Sequence, residues 1–284
     1  MKITLLHSNH VSDNLINEVM HSHAVSGIIS RTKHSATLGL INPMSIDEKL
    51  KLRNLCLLHE ADLVTLKRGF EPSQIKLLAM DMDSTLINIE CIDEIADAVG
   101  RKNEVSAITE AAMRGEIKDF SESLTRRVAL LAGVPESALL DVYENRLKLN
   151  QGAPELIRGA QARGWHTLLV SGGFNFFTEK LAEKLGLDET HANTLEVVGG
   201  ILTGRVIGKI VDGQAKANYV QSRTLAMGSN PHSSVVMGDG SNDLPMMAHA
   251  GLSIGYKAKP IVKEKADGAF DHVGLDALLE IFPL

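Results

Sequence analysis

Three short apolar runs constrain this fold more than any other feature of the chain: IKLLAM at 75–80, HTLLV at 166–170 and SVVM at 234–237. Runs of that length without polar alternation suit strands of a parallel sheet covered on both faces. LSI at 252–254 and AFDHV at 269–273 continue the series. Each of the first three runs ends in residues that a buried strand has no use for. Asp81-Met82-Asp83-Ser84-Thr85 follows the first, Ser171-Gly172-Gly173 the second and Gly238-Asp239-Gly240-Ser241-Asn242-Asp243 the third. Open α/β sheets bind ligands beyond the carboxyl ends of their strands, so these stretches are expected at one edge. The long segment between the first two runs is helical in pattern, with IDEIADAVG, EVSAITEAAM and FSESLTRRVALLAG in order. In the first, Ile92, Ile95, Ala96 and Val99 share one helical face. A helical insertion at about 88–150 is therefore expected to cap the sheet edge. LEVVGGILTGRV adds a hairpin turning at Gly199-Gly200.

The first seventy residues follow a different plan. KITLLH reads as a strand, DNLINEVMHS as a helix, VSGIISR and SATLGLI as strands, SIDEKLKLRNLCLLH as a helix and DLVTL as a strand. Ser45 followed by Glu48 fits a capping box at the second helix. The order βαββαβ is ferredoxin-like, and KRGFEPSQ, with Gly69 and Pro72, reads as a linker. The expected fold is α/β, a Rossmann-like core with a parallel sheet and a helical cap insertion. A small α+β domain over 1–72 precedes the main domain over 73–284.

Bulk composition excludes several classes. With 29 basic against 35 acidic residues the net charge is −6, and no basic stripe offers a nucleic-acid surface. The two cysteines, Cys56 and Cys91, read as reduced thiols. MKITLLHSNH is too short in apolar residues for a signal peptide, and no stretch approaches the ~18 needed to span a membrane. The expectation is a soluble, cytoplasmic protein. Six of the eleven histidines fall in the first seventy residues, but His21 and His23 lie two apart on a helix and do not share a face, so no metal is expected there.

The aspartate pair needs an explanation. Two carboxylates about 4 Å apart repel by roughly 4 kcal/mol at an effective dielectric near 20. Either a cation or a shared proton must offset that. The third strand end brings Asp239 and Asp243, Lys216 falls early in a helical segment, and Ser171 offers a hydroxyl on glycine backbone. Carboxylates at two strand ends with a lysine and a hydroxyl between them suit a hard cation and a phosphate. Magnesium takes one or two carboxylates, several waters and a phosphate oxygen. The cation is the better reading.

In order and spacing, D-x-D-S-T, S-G-G, K and G-D-G-x-N-D resemble the haloacid dehalogenase superfamily in its phosphatase branch. DMDSTLINIECIDEIA, FSESLTRRVALL, VSGGF, LTGRV and GDGSNDLPMMAHAG bring the resemblance down to the phosphoserine phosphatase family, from about Leu77 to Lys265. That resemblance implies Mg²⁺-dependent hydrolysis of O-phospho-L-serine as the last step of serine biosynthesis. It implies Asp81 as nucleophile and Asp83 as general acid and base. Mg²⁺ would be held by Asp81, Asp239 and the Asp83 backbone carbonyl. Ser171, Gly172, Lys216 and Asn242 would hold the phosphoryl group, with Asp243 orienting the lysine and the metal waters. From the insertion, Glu90 would take the substrate ammonium and Arg127 its carboxylate, with Arg126 and Arg114 as alternatives, while Met113 and Phe120 close over it. A phosphotransferase with the same donor, or a non-catalytic regulator on the same core, are the competing readings. For the N-terminal segment the ferredoxin-like order suggests, by analogy of fold, an amino-acid-sensing ACT-like domain. HSNHVSDN after the first strand lacks the glycine such domains use, so a packing or dimerisation module, giving a homodimer, is preferred.

Overall fold

The computed structural model describes residues 1–113, 116–117 and 119–282, without the side chains of 112 and 113. The Met113 side chain and Arg114 therefore lie outside the described residues. The N-terminal elements are β1 (Lys2–His7), α1 (Asp13–Ser22), β2 (Val25–Arg31), β3 (Ser35–Leu40), α2 (Ile46–Leu58) and β4 (Ala61–Leu66). Local chemistry sets their ends. The Leu15 N–H donates to the Ser12 hydroxyl at the start of α1, and Ser45 and Glu48 form the reciprocal capping box at α2. The four strands lie in the order β2-β3-β1-β4, each pair antiparallel. This is the ferredoxin-like arrangement.

The remaining strands are β5 (Leu77–Met80), β6 (His166–Phe174), β7 (Glu189–Val198), β8 (Ile201–Ile207), β9 (Ser234–Gly238), β10 (Leu252–Tyr256) and β11 (Gly268–Phe270). They continue the same sheet in the order β11-β10-β9-β5-β6-β7-β8, parallel throughout except for the β7–β8 hairpin. Along β5, Leu78 and Met80 enter one core while Leu77 and Ala79 enter another on the opposite face. That is why its sequence shows no alternation. Gly199 and Gly200 both have positive φ, 60° and 77°, as a two-residue hairpin turn requires.

Both halves share one eleven-stranded sheet. β4 pairs antiparallel with β11, Val64 opposite Gly268, where a side chain on Gly268 would come within 2.7 Å of Val64 Cγ2. The buried Asp62 carboxylate accepts the N–H groups of Asp271, His272 and Val273 at 3.0, 2.9 and 2.9 Å. Those bonds end β11 at Phe270, shorter than the expected run to Val273. Lys49 and Arg53 of α2 donate to the carbonyls of Ala266 and Lys263. Those carbonyls close α11 (Pro260–Lys265), the last of the helices that flank the core.

Between β5 and β6 lie α3 (Cys91–Ala98), α4 (Lys102–Met113), α5 (Phe120–Ala129) and α6 (Ser137–Asp141). The stem of this insertion is closed by a bridge between Ile87 and Leu149. Asn150 Nδ2 donates to the carbonyls of Thr85 and Ile87 at 2.8 and 3.0 Å. α7 (Ala153–Ala162), α8 (Asn175–Leu185), α9 (Gly213–Ala226) and α10 (Leu244–Met247) complete the core. Among the described residues, no helix is long and apolar enough to cross a membrane.

Candidate active site

A cavity of about 590 Å³ opens between the carboxyl ends of β5, β6 and β9 and the inserted helices. The sheet end of this cavity is dense with charge. Asp81 follows β5 directly and is buried. Its Oδ1 accepts the Met82 N–H at 2.7 Å and lies 2.7 Å from Lys216 Nζ. Lys216 also donates to Asp243 Oδ1 at 2.8 Å and is fully buried. The second oxygen of Asp243 accepts the N–H groups of Asp239 and Gly240 at 3.1 and 3.0 Å. Gly238 allows this close approach, since a side chain there would sit 2.4 Å from Asp243 Cγ. The helix that carries Lys216 is started by Asp212, whose carboxylate accepts the Ala215 N–H at 2.8 Å.

The electrostatics follow from crowding and burial. Burial opposes the Lys216 charge, but the Asp243 and Asp81 carboxylates outweigh it and hold the lysine above its ordinary pKa. Burial, then Asp243, pushes the Asp81 carboxyl well up, with Lys216 pulling the other way. Burial and Asp243 bring Asp239 to about 7. Carboxylate oxygens of Asp81, Asp239 and Asp243 all lie within 4.8 Å of one another. Hard oxygen donors held this close and this dry fit a hard divalent cation, which would relieve the repulsion recorded in those pKa values.

Asp83 has a different setting. The DMDST segment makes one tight turn, with the Ile87 N–H donating to the Met82 carbonyl at 3.0 Å and Ser84 at a left-handed φ of 56°. This turn carries Asp83 away from the Asp81 cluster. Asp83 Oδ1 accepts the Cys91 N–H at 2.8 Å, and Oδ2 lies 3.4 Å from the Ser171 hydroxyl. Burial, then the Glu90 carboxylate, raises its pKa to about 7. Both glycines after Ser171 are required. A side chain at Gly173 would meet Asp83 Oδ2 at 2.4 Å, and one at Gly172 would meet the Phe120 ring at 2.8 Å. β6 runs on through this segment to Phe174, with a break in its register against β7 after Val170, where a loop was expected.

The opposite end of the cavity belongs to the insertion. Glu90, Asp93, Phe120 and Arg127 line it, as do Asn242 and Lys259 from the core. Glu90 Oε1 accepts the Ser84 hydroxyl at 2.6 Å. The Arg127 pKa is lowered by burial, partly offset by Asp93, Glu90 and Asp83, and among the described residues its Nε makes only a long 3.4 Å contact to the Ser123 carbonyl. Arg126, one residue earlier, points outward to Glu122 and is more than half exposed, so of the two only Arg127 reaches the cavity.

The structure thus brings together Asp81, Asp83, Glu90, Phe120, Arg127, Gly172, Asp239 and Asn242 around one space, with Ser171, Lys216 and Asp243 buried behind it. The sequence reading missed Asn193. This buried side chain donates to the Gly172 carbonyl at 2.8 Å and accepts the Val211 N–H at 2.8 Å, tying the end of β6 to the chain that leads into α9. The available signal was an asparagine within a strand, where asparagine is rare.

A family model described as haloacid dehalogenase-like hydrolase matches residues 78–248. A phosphoserine phosphatase of Polaromonas sp. is 54% identical over 213 residues, covering 74% of this chain and 90% of its own. The crystal structure of a haloacid dehalogenase family hydrolase from Salmonella enterica superposes with a TM-score of 0.87 at 29% identity, over 98% of this chain and 97% of that one. A substrate-bound phosphoserine phosphatase complex superposes at 0.69 with 40% identity, over 74% of this chain and 99% of that one.

Proposed function

The chain belongs to the haloacid dehalogenase-like hydrolases, and on that premise we propose that it is a cytoplasmic phosphoserine phosphatase, releasing L-serine and phosphate from O-phospho-L-serine. The observation that carries this reading is the two-ended cavity. A buried carboxylate–lysine cluster sits at one end, and an acidic and a guanidinium side chain sit together at the other. A phosphomonoester of an amino acid carries the complementary charges at the same two ends.

Asp81 attacks phosphorus in line, forming an aspartyl phosphate as the bond to the serine oxygen breaks. Both structural contacts of Asp81 fall on Oδ1, so Oδ2 is the attacking oxygen. Asp83 gives its proton to the departing serine oxygen. It then takes one from the water that cleaves the acyl phosphate and releases Asp81. A carboxyl with a pKa of about 7 can do both near neutral pH. Lys216 and the Ser171 hydroxyl hold phosphoryl oxygens, and Asn242 orients the group from the rim. Asp81, Asp239 and the Asp83 carbonyl would hold Mg²⁺, which supplies positive charge to the phosphoryl oxygens as negative charge builds on them. Asp243 keeps Lys216 pointed and fixes the Asp239 backbone. Glu90 binds the ammonium and Arg127 forks onto the carboxylate, with Phe120 excluding water. Residues 1–72 act as a packing unit that extends the core sheet through β4.

The test is phosphate release from O-phospho-L-serine, phosphothreonine, phosphoglycolate and a chromogenic aryl phosphate in Mg²⁺. Strong preference for phosphoserine, abolished by Asp81→Asn, is the expected result. A flat profile that still needs Asp81 would keep the phosphatase and discard the substrate.

A further inference from the structure

The cap brings two acidic groups to the cavity that the mechanism above does not use: Asp119, which caps α5 by accepting the Ser121 N–H, and Asp93. Asp93 stands three residues after Glu90, its N–H donating to the Glu90 carbonyl at 3.1 Å, and lines the same cavity. The spacing places both carboxylates on one face at the start of α3. Asp93 Oδ1 is buried and has no hydrogen-bond partner among the described residues. Buried acceptors are satisfied in the great majority of cases, and an orphan on a residue that lines a cavity marks a place for a donor that arrives with a ligand. Burial, then the Glu90 carboxylate, pushes the Asp93 carboxyl up, and Arg127 offsets this only in part. An incoming cation would relieve that cost.

Glu90 alone does not match all three donors of a substrate ammonium. One of its oxygens is occupied by the Ser84 hydroxyl, while an ammonium brings three N–H donors. Among the described residues that the insertion brings to the cavity, Glu90, Asp93 and Asp119 carry three negative charges against the single positive charge of Arg127, and the core adds Lys259. The surplus favours a substituent that carries its own positive charge.

We propose that Asp93 is a second acceptor for the substrate ammonium, its free Oδ1 working beside Glu90 so that two carboxylates read the amino group. This rests on the phosphoserine reading and sharpens it, making the cap selective for an amino group as well as a carboxylate.

The test compares wild type with Asp93→Asn, which keeps the volume and removes the charge, on three substrates. O-Phospho-L-serine carries both groups, phosphoethanolamine carries only the ammonium, and 3-phosphooxypropionate carries only the carboxylate. Loss of a charged hydrogen bond predicts a fall of about 10- to 100-fold in kcat/KM on the first two, mostly through KM. The third should stay within about threefold, which also reports that the variant is folded. Asp93→Glu, which retains the charge, should recover part of the loss. An equal loss on 3-phosphooxypropionate would overturn the proposal, because Asp93 would then act through Arg127 or through the fold. No loss on phosphoserine would overturn it as well. A wild-type enzyme that does not distinguish phosphoserine from 3-phosphooxypropionate would instead discard the substrate reading, and the ammonium role with it.

Discussion

The two ends of the cavity are built on opposite plans. At the sheet end, Asp81, Lys216, Asp239 and Asp243 are buried; Asp81 and Asp243 are each held by backbone N–H groups and by Lys216, and Asp239 is fixed through its own N–H, which donates to Asp243. At the cap end, among the described residues, Arg127 has one long backbone contact, Asp93 Oδ1 has none, and Glu90 has a single hydroxyl partner. The first arrangement is complete without substrate, as electrostatic stabilisation of a phosphoryl transition state demands. The second leaves its hydrogen-bonding capacity for a ligand to fill. On the function proposed above, the core fixes the chemistry and the insertion discriminates between substrates.

The largest effect should come from removing the charge that both plans contrast. Lys216→Met leaves Asp81 and Asp243 buried without their counter-ion, which typically costs about 3–5 kcal/mol. Denaturant unfolding should show that loss, alongside a fall of at least about 10³-fold in kcat/KM. Wild-type stability in that variant would mean the sheet end is no more preorganised than the cap. Next is metal linkage. Mg²⁺ at about 100 times its Kd should stabilise the wild type by about 2.7 kcal/mol, and Asp239→Asn should abolish the shift. An undiminished shift would place the ion elsewhere.

A smaller effect is expected at Asn193, which braces the sheet end from behind. Asn193→Ala orphans the Gly172 carbonyl and the Val211 N–H, a cost of about 1–3 kcal/mol. We expect kcat to fall about tenfold with KM little changed. A raised KM with intact kcat would move Asn193 to the binding side of the comparison.

The smallest effect should come from a charge cluster that belongs to neither end. Glu189 opens β7, where Arg223, His191 and His166 contact its carboxylate. Burial works against the Glu189 charge, but these three partners hold its carboxyl down to about 2. A depressed carboxyl stabilises fully above its unfolded value of about 4.5 and ceases to do so as pH falls towards about 2. Glu189→Gln should therefore flatten the acid limb of stability over that window and leave kcat/KM unchanged.

How much of this was legible in the sequence also divides along the comparison. The sheet end was legible because Asp81, Ser171 and Asp239 each follow an apolar run, and parallel topology brings strand ends together. Asp243 was read as an orienting residue, and it does hold both Lys216 and the Asp239 N–H. The ferredoxin-like order was legible from alternating short elements and one capping box. The single continuous sheet was not, because the β4–β11 pairing joins Val64 to Gly268 and no local pattern records so distant a contact. Asp93 stood inside the quoted IDEIADAVG and looked like an ordinary helix-surface acid. Only the cavity, and the lack of any donor to its Oδ1, sets it apart. Asn193 escaped for the same reason, since its role is to link two segments that are far apart in the chain.

The division of labour between core and cap is tested most directly by Arg127→Ala, assayed on O-phospho-L-serine and on a chromogenic aryl phosphate in parallel. With Arg127 in its proposed role as partner of the substrate carboxylate, its loss should lower kcat/KM for phosphoserine by about 100-fold, mainly through KM. The aryl phosphate should be turned over within about threefold of wild type, because the sheet end is intact. If both substrates fall together, the guanidinium supports the chemistry itself, and the separation between a fixed core and a discriminating cap is wrong.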